Sequence, residues 1–321
     1  MKRIGILTSG GDAPGMNACV RSIVKIAVTE GYEVLGFERG YEGILDKSFM
    51  NLDLTSVANI IHRGGTILKT ARSKRFYEEA YRSKAAQILR ELNVEFLITI
   101  GGDGTFTGAK LLASEHGVNV LGIPGTIDND LFGTDYTLGY DTAINTVVEA
   151  VDKIRDTAIS HDRFFVIEVM GKDAGFIALR SGIASGAEAV LVPEESTIID
   201  DLINQLQCRR KNKQSAIIIV AEGDDFGGGR SVKEHIEKEM QVDVKLTVLG
   251  HIQRGGAPSA MDRVLAAQYG AYAMECVKND ISGIMVGIEN GTLNRVPLAS
   301  AIKHHQKVKE ELISLSKRLS V

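Results

Sequence analysis

The feature that most constrains the fold of this chain is a regular alternation between short, β-branched apolar runs and longer amphipathic segments. The short runs predict strands at Arg3–Thr8, Glu33–Phe37, Phe96–Ile100, Val118–Ile123, Phe164–Val169, Ala189–Val192, Ala216–Ala221, Lys245–Leu249 and Ile284–Ile288. The longer segments predict helices at Met16–Thr29, Ser83–Leu92, Thr105–Ser114, Thr142–Thr157, Ala174–Ser185, Asp200–Arg210, Val232–Met240, Met261–Val277 and Val308–Leu319. Strands that alternate with helices in this way favour an α/β fold, with parallel sheets covered on both faces.

The chain is long enough for more than one core, since 321 residues predict either two domains or one large α/β unit. The best break falls near Gly139, before a long predicted helix, and the chain crosses back near Gly250. These positions predict the following limits: one domain over residues 1–138 and about 251–301, the other over 139–250 and about 302–321. The glycine-rich segment Asp224–Arg230, DDFGGGR, is expected to be a flexible surface loop.

Composition and charge exclude several classes of function. The formal net charge is −4, so neither nucleic acid nor an anionic membrane is indicated as a partner. The cysteines Cys19, Cys208 and Cys276 form no CxxC pair, and the histidines show no zinc-binding spacing. The N-terminal apolar stretch is too short for a signal segment, and no run approaches the ~20 apolar residues of a membrane span. We therefore expect a cytoplasmic protein.

Glycine pairs follow two of the predicted strands and lead into helices. The first lies in SGGDAPGMNA (Ser9–Ala18), which has neither P-loop nor GxGxxG spacing, and the second in IGGDGT (Ile100–Thr105). The backbone amides of such loops suit an anion, and Asp103 suits a Mg²⁺ ion that bridges phosphate oxygens. The alternatives are a plain tight turn for the first pair and a helix N-cap for Asp103. Because two such turns follow separate strands, phosphate binding is favoured.

The segment Pro124–Asp130, PGTIDND, follows the apolar run Val118–Ile123 and carries two carboxylates. Phosphoryl transfer needs positioning, charge neutralisation and a base for the incoming hydroxyl, and a carboxylate can be that base. In an extended chain, Asp128 and Asp130 would point the same way. The alternative is a loop with an Asx turn and solvated carboxylates, and composition alone favours it.

Four segments, considered together and in order, resemble the bacterial ATP-dependent 6-phosphofructokinase family. They are SGGDAPGMNA, IGGDGT, PGTIDND and VLGHIQRGGAPSAMDR (Val248–Arg263). GGDGT alone also occurs in NAD and lipid kinases, whereas PGTIDND with GHIQRGG is specific. The resemblance covers nearly the whole chain and implies two Rossmann-like three-layer αβα domains with mainly parallel sheets. One would bind ATP and Mg²⁺, and the other the sugar phosphate. It also implies a homotetramer that phosphorylates the 1-hydroxyl of fructose 6-phosphate, the committed step of glycolysis.

The resemblance also assigns the reacting groups. Asp128 would take the proton from the sugar hydroxyl, Thr126 would lie near the transferring phosphoryl group, and Arg72 would stabilise its charge. The implied ligands of Mg²⁺ are Asp103 and Asp130. The implied nucleotide-binding positions are Gly11, Arg72, Ser73, Gly102, Asp103, Gly104 and Thr105.

Two glycines favour ATP over pyrophosphate as the phosphoryl donor. Pyrophosphate-dependent relatives usually carry aspartate in place of Gly104 and lysine in place of Gly125, and this chain keeps both glycines. Small residues at these positions are expected to leave room for the nucleotide.

The remaining positions implied by the resemblance form a substrate set and an effector set. The substrate set is Thr126, Ile127, Asp128, Arg163, Met170, Gly171, Lys172, Glu222, Lys245, His251, Ile252, Gln253 and Arg254. Within it, Arg163 would reach the site of a neighbouring subunit. The effector set, for ADP or phosphoenolpyruvate, is Arg21, Lys25, Leu54, Asn59, Arg155, Gly186, Glu188, Lys211, Lys213, Gln214 and Ser215.

The chain departs from the family pattern at several of these positions. Lys245 and Lys172 stand where arginine is common, and lysine keeps the charge but loses the planar two-pronged geometry of arginine. Lys25 is a similar change in the effector set, whereas Leu54 replaces an arginine by an apolar side chain. Ser73 replaces an aromatic residue, so its contact with the adenosine side of the nucleotide would differ. We expect weaker sugar-phosphate binding and a blunted effector response.

Two other functions remain open at this point. The chain could be a kinase with the same chemistry and another acceptor, such as NAD or tagatose 6-phosphate, although GHIQRGG argues against NAD. It could also be a nucleotide-sensing subunit without activity, but such a subunit would be expected to lose Asp128 or Asp103, and both are present.

Overall fold

The computed structural model describes residues 2–210, 215–302 and 304–320, which separate into two compact units. The first unit consists of Met1–Thr126, Leu131–Thr142 and Arg254–Gln306. The second unit consists of Ile127–Asp130, Ala143–Gln253 and Lys307–Val321. The domain limits expected from the sequence, and the ligand assigned to each domain, stay predictions.

Strands and helices alternate along most of the chain, which confirms the predicted α/β class. The strands are β1 (Arg3–Thr8), β2 (Glu33–Phe37), β3 (Phe49–Leu52), β4 (Val94–Gly101), β5 (Val120–Pro124), β6 (Phe164–Val169), β7 (Ala189–Leu191), β8 (Ala216–Ala221), β9 (Val244–Val248), β10 (Ile284–Glu289) and β11 (Thr292–Pro297). The α-helices are α1 (Met16–Thr29), α2 (Tyr41–Leu45), α3 (Glu79–Glu91), α4 (Asp103–His116), α5 (Tyr140–Ser160), α6 (Phe176–Ser185), α7 (Ile199–Arg210), α8 (Gly228–Met240), α9 (Ala260–Lys278), α10 (Leu298–Ala301) and α11 (Glu310–Leu319). Short 3₁₀ turns cover Arg75–Tyr77 and Gly250–Arg254.

The sheet of the first unit brings the starts of the three polar motifs to one edge. Its strand order is β11-β10-β5-β4-β1-β2-β3, parallel in the centre, with β3 and β11 antiparallel at the two sides. In register, Thr8 pairs with Ile100, and Gly101 pairs with Pro124. The strands β1, β4 and β5 therefore end level with one another. Because ligands of open α/β sheets bind at the carboxyl ends of the strands, this edge is where a site is expected.

The second unit contains a parallel sheet of four strands in the order β7-β8-β6-β9. Val169, at the end of β6, pairs with Ala221, at the end of β8. Glu168 of β6 also pairs with Val248, the last residue of β9. The segments that follow these three strands therefore leave the same edge of the second sheet.

The central strands are buried on both sides, as their continuous apolar sequences predict. Every residue of β5 and of β8 is buried, and in β1 only Arg3 is not. Side chains from helices and strands pack together in the core, such as Phe37, Leu97 and Phe106 in the first unit. None of the helices formed by the described residues combines the length and apolar character that a membrane span requires.

Several features differ from the sequence expectations, among them the short helices α2 and α10, which were not predicted. The edge strands β3 (FMNL) and β11 (TLNRVP) were not predicted, because they are largely solvent-exposed and lack a continuous apolar run. The expectation that DDFGGGR forms a flexible surface loop is wrong for its last part. Helix α8 begins at Gly228, where both Gly228 and Gly229 are buried, and Asp224 is buried as well.

Asp262 holds the beginning of α5 within the first unit. Its carboxylate is buried and accepts hydrogen bonds from the backbone N–H groups of Gly139 (2.9 Å) and Thr142 (2.9 Å). The hydroxyl of Thr142 donates to the same carboxylate at 2.5 Å, and the hydroxyl of Ser259 donates to Asp141 at 2.5 Å. Burial raises the pKa of Asp262, although these hydrogen bonds act in the opposite direction. Asp262 thus caps a helix that begins about 120 positions earlier in the sequence.

Candidate active site

The first glycine loop lies directly beneath the guanidinium of Arg254. The loop follows β1, and the N–H of Ser9 donates to Ile100 O at 3.0 Å, which ties its start to the end of β4. Arg254 Nη1 donates to Asp12 O at 3.3 Å. A Cβ atom at Gly11 would collide with this guanidinium, so any larger residue would require Arg254 to move. The first unit thus places a cation against the loop that was predicted to bind phosphate.

The second glycine loop has the properties of an anion and cation site. Helix α4 begins at Asp103, with Gly102 as its cap, so no capping side chain covers its backbone amides. The alternative in which Asp103 caps the helix is therefore wrong. Asp103 Oδ1 and Thr105 Oγ1 are both buried, and neither has a hydrogen-bond partner among the described residues. A side chain built at Gly104 would meet nothing within 4 Å, so the space above this position is open.

Gly125 has a packing role that sequence reasoning did not predict. Its N–H donates to Gly101 O at 2.9 Å. A Cβ atom added there would lie 3.0 Å from Ile100 Cγ2 and 3.2 Å from Met16 Cε, inside the core of the first unit. The argument that a small residue leaves room for a nucleotide is therefore supported by Gly104 and not by Gly125.

Thr126 lies beside the second glycine loop. A Cβ atom added to Gly102 would be 3.6 Å from Thr126 Cβ, so the two motifs are adjacent in the first unit. The carbonyl of Thr126 accepts a hydrogen bond from the hydroxyl of Thr137 at 2.5 Å, which fixes the backbone where it leaves β5.

The two aspartates of PGTIDND do not lie in extended chain. Asn129, between them, has φ +54°, in the left-handed region. The expectation that Asp128 and Asp130 point the same way because they are two residues apart in a strand is therefore wrong. Ile127 and Asn129 are buried, whereas Asp128 and Asp130 are partly exposed. The buried neighbours thus anchor the segment, and the Oδ1 atom of Asp128 is buried as well.

Four predicted substrate positions come together at the sheet edge of the second unit. The N–H of Met170, directly after β6, donates to Gln253 Oε1 at 3.3 Å, and Gln253 Nε2 donates to Gly250 O at 3.0 Å. Lys172 N donates to Glu222 Oε1 at 2.8 Å. Because the side chain of Gln253 is buried and used by the backbone, it organises the loops instead of presenting its amide to solvent. Of the other members of this set, His251 and Ile252 are exposed and Gly171 is buried.

Two further cations of the substrate set flank one carboxylate of the second unit. Lys245 Nζ lies 2.8 Å from Asp243 Oδ1, and Arg163 Nε lies 3.4 Å from Asp243 Oδ2. The Lys245 ammonium, with a smaller contribution from Arg163, lowers the pKa of Asp243. All three side chains are about half exposed, so the pair of cations is accessible to an anion.

The predicted effector positions fall into two groups. In the second unit, Arg155 Nη2 donates to Ser185 O (2.8 Å) and Gly186 O (2.9 Å), and its Nη1 lies 3.6 Å from Glu188. In the first unit, Arg21 is partly buried, whereas the exposed members are Lys25, Leu54 and Asn59. Ser215 is partly buried, and Lys211, Lys213 and Gln214 lie outside the described residues.

The segment with Arg72 and Ser73 also belongs to the first unit. Arg72 is exposed, and Ser73 Oγ accepts a hydrogen bond from Phe76 N at 3.2 Å.

Sequence reasoning missed two polar residues that support this end of the unit, Asn17 and Asp262. Both lie inside the quoted motifs, and the signal that could have identified them is a polar residue in the first turn of a largely apolar helix.

Comparisons with known proteins identify the family of this chain. The family model described as phosphofructokinase matches residues 3–277. The chain belongs to the phosphofructokinase family. It is 51% identical over 322 residues to ATP-dependent 6-phosphofructokinase 1 of Thermus thermophilus, and 49% identical to ATP-dependent 6-phosphofructokinase of Bacillus subtilis. In both comparisons, all of this chain and all of the relative are covered.

Solved phosphofructokinase structures share the fold. Phosphofructokinase from Saccharomyces cerevisiae superposes with a TM-score of 0.89 at 33% identity, covering 100% of this chain and 47% of the yeast chain. A pyrophosphate-dependent phosphofructokinase from Marinobacter aquaeolei has a TM-score of 0.87 at 19% identity, covers 100% of this chain and 92% of that one, and shows the fold alone.

Proposed function

We propose that this phosphofructokinase transfers the terminal phosphoryl group of ATP to the 1-hydroxyl of fructose 6-phosphate, giving fructose 1,6-bisphosphate and ADP. The observation that carries the proposal is the full-length identity of 51% to an enzyme named ATP-dependent 6-phosphofructokinase 1. The convergence of both glycine loops and the start of PGTIDND at one sheet edge of the first unit supports it.

The residues of the first unit would bind and orient the donor. The backbone around Gly11 and the loop Gly102–Thr105 would hold the ATP phosphates, and the exposed Arg72 would stabilise charge on the phosphoryl group. Thr126, beside Gly102, would position that group. Asp128 would accept the proton of the 1-hydroxyl as it attacks.

Mg²⁺ is part of the same proposal, with Asp103 and Asp130 as its protein ligands. A buried carboxylate oxygen with no hydrogen-bond partner among the residues that the structure describes, as at Asp103, suits a cation. The described residues contain no group of three or more His, Cys, Asp or Glu side chains placed to hold a metal. One or two carboxylates with substrate phosphates are the usual surroundings of Mg²⁺ in kinases. When bound, the ion would neutralise charge on the phosphate oxygens.

The sugar phosphate would be held by the remaining substrate set. Met170 and Glu222 lie at the sheet edge of the second unit, and Arg254 supplies a cation beside the first glycine loop. Arg163 and Lys245 would serve the site of a neighbouring subunit in a homotetramer. Their half-exposed position around Asp243 supports this role.

A coupled assay tests the proposed function directly. ADP formation is measured with ATP, Mg²⁺ and, in turn, fructose 6-phosphate, tagatose 6-phosphate or NAD as the acceptor. We expect the highest kcat/KM with fructose 6-phosphate. Absence of turnover with every acceptor would favour the nucleotide-sensing alternative.

Exchanging Lys245 for arginine is expected to lower the KM for fructose 6-phosphate by about two- to fivefold, since arginine binds phosphate through two parallel hydrogen bonds. Steady-state kinetics at saturating ATP measure the change. Lys238→Arg, at an exposed lysine of α8, is the matched control and should leave KM unchanged. An unchanged KM in Lys245→Arg would contradict the interpretation that this lysine weakens substrate binding.

We also propose that the effector response to ADP and phosphoenolpyruvate is weak. Leu54 is 49% exposed, and an apolar side chain offers no partner to a phosphate. Fructose 6-phosphate saturation curves of the wild type should shift little with either effector. In Leu54→Arg, each effector should change the half-saturating fructose 6-phosphate concentration by about fivefold, the lower end of typical allosteric coupling. Leu54→Gln is the control, and a full response in the wild type would disprove the proposal.

A further inference from the structure

The segment that carries Arg72 has almost no regular structure of its own. Between β3 and the 3₁₀ turn Arg75–Tyr77, residues 63–74 form only turns, bends and irregular backbone. The segment is held by the buried Leu68, whose carbonyl accepts from Arg39 N at 2.8 Å, and by side chains that hydrogen-bond its other backbone groups. The direction in which Arg72 projects therefore depends on whatever anchors the residues before it.

Asn17, in the first turn of α1, makes three hydrogen bonds to the backbone of this segment. Its side chain is 1% exposed, and its Nδ2 donates to Arg63 O and to Gly64 O, both at 3.1 Å. Its Oδ1 accepts from Ile67 N at 2.7 Å. Two carbonyls on one side and one N–H on the other require a carboxamide, because a carboxylate offers no donor and a hydroxyl is too short.

Threonine hydroxyls extend the anchoring towards Arg72. Thr8, the last residue of β1, donates to Lys69 O at 2.8 Å. Thr70 Oγ1 donates to Gly10 O at 2.7 Å, only two residues before Arg72. Gly10 has φ +85° and directly precedes Gly11 in the first glycine loop. The Arg72 segment is thus tied to the backbone of the loop that is proposed to hold phosphate.

The chain is fixed again shortly after Arg72. Phe76 is buried and stacks on Tyr41, with ring centroids 4.0 Å apart and an interplanar angle of 15°. The hydroxyl of Tyr41 donates to Thr105 O at 2.6 Å, in the second glycine loop. Arg72 therefore lies on a short span between two fixed points, each joined to one of the two loops.

We propose that Asn17 is a positioning residue for Arg72, and that Thr70 completes the connection. The carboxamide of Asn17 sets the path of residues 63–67, and the hydroxyl of Thr70 fixes the chain against Gly10. Together they hold the Arg72 guanidinium in register with the phosphate-binding backbone. The inference rests on the proposed function, in which Arg72 stabilises the phosphoryl group in transfer.

Asn17→Asp tests the carboxamide because it keeps the size and removes both donors. We expect kcat to fall by about 10- to 100-fold, since a displacement of about 1 Å can cost 10²-fold in rate. The KM for ATP and for fructose 6-phosphate should change by less than about threefold, the pattern of an interaction made only in the transition state. Asn279→Ala, at an exposed asparagine, is the control and should retain the wild-type kcat.

A second pair of variants tests the anchoring of the Arg72 segment independently, in case Asn17→Asp does not fold. Thr70→Ser keeps the hydroxyl and should retain most of the activity, whereas Thr70→Val removes it at nearly the same volume and should lower kcat. Thermal unfolding of each variant shows that the compared proteins are folded. Equal kcat in the serine and valine variants would contradict the role of Thr70.

The decisive measurement is a double-mutant cycle with Arg72→Ala. If Asn17 and Thr70 act through Arg72, adding either change to Arg72→Ala should lower kcat by less than about threefold further. Two results would overturn the positioning role: an equal fold-loss of kcat on mutating Asn17 or Thr70 with and without Arg72, or a wild-type kcat in Arg72→Ala. Neither result would contradict the proposed function as long as the wild-type protein phosphorylates fructose 6-phosphate. A wild type without fructose 6-phosphate kinase activity would overturn both.

Discussion

Replacing Asp128 with serine is expected to lower kcat by about 10²- to 10⁴-fold, the usual range for loss of a general base. Serine is smaller and cannot accept the proton of the 1-hydroxyl at neutral pH. The buried neighbours Ile127 and Asn129 hold the backbone of PGTIDND, so the exchange should leave the fold intact. KM for both substrates should change little, since the carboxylate is proposed to act in proton transfer and not in uniform binding.

The control for this experiment is Asp152→Ser, which removes an exposed carboxylate from α5. It should retain the wild-type rate in the coupled assay. Activity that survives largely intact in Asp128→Ser would refute its assignment as the base. Asp130 would then become the candidate, because both carboxylates of PGTIDND are partly exposed.

Asp103→Asn is expected to lower kcat by about 10²- to 10³-fold, comparable to removing one strong electrostatic interaction in a transition state. The change keeps the volume of the side chain but places a weaker, neutral ligand at the buried Oδ1 position. Because the proposed role is to hold Mg²⁺, the Mg²⁺ concentration for half-maximal activity should also rise. Titration of activity with Mg²⁺ at fixed ATP measures this shift.

Two results would separate a metal role from a structural one. Asp103 is the first residue of α4, where a carboxylate also favours the helix N-terminus by about 0.3–1 kcal/mol. A variant that is merely less stable would show a lower unfolding temperature and an unchanged Mg²⁺ requirement, contrary to our expectation. Glu95→Gln, a carboxylate-to-amide exchange at an exposed position, is the control and should alter neither quantity.

Much of the fold follows from local sequence patterns. The predicted limits of β1, β6, β8 and α1 agree with the structure at both ends, because continuous apolar runs and clear amphipathic periodicity define them. Local patterns do not predict the edge strand β11, because buried and exposed side chains do not alternate regularly along it. Its extended structure depends on antiparallel pairing with β10, which the local sequence does not reveal.

Only those parts of the candidate site that depend on local sequence motifs could be predicted. PGTIDND and IGGDGT follow strands, so their position at a sheet edge could be inferred. The backbone of Asn129 could not, because a left-handed residue between two aspartates is decided by the packing of Ile127 and Asn129 in the folded unit. A polar residue in the first turn of an apolar helix could have marked Asn17 and Asp262, but their roles depend on partners far away in sequence that no spacing rule identifies.

The first unit cannot be completed until nearly the whole chain has been synthesised. Strand β5, which leads into PGTIDND, pairs on one side with β10, and Asp262 caps α5 from the start of α9. A growing chain therefore carries β5 as an open sheet edge and α5 without its cap while the intervening residues emerge. Open edges of this kind pair readily with other chains, so the late C-terminal segments protect the nascent protein from misassembly as well as finishing its sheet.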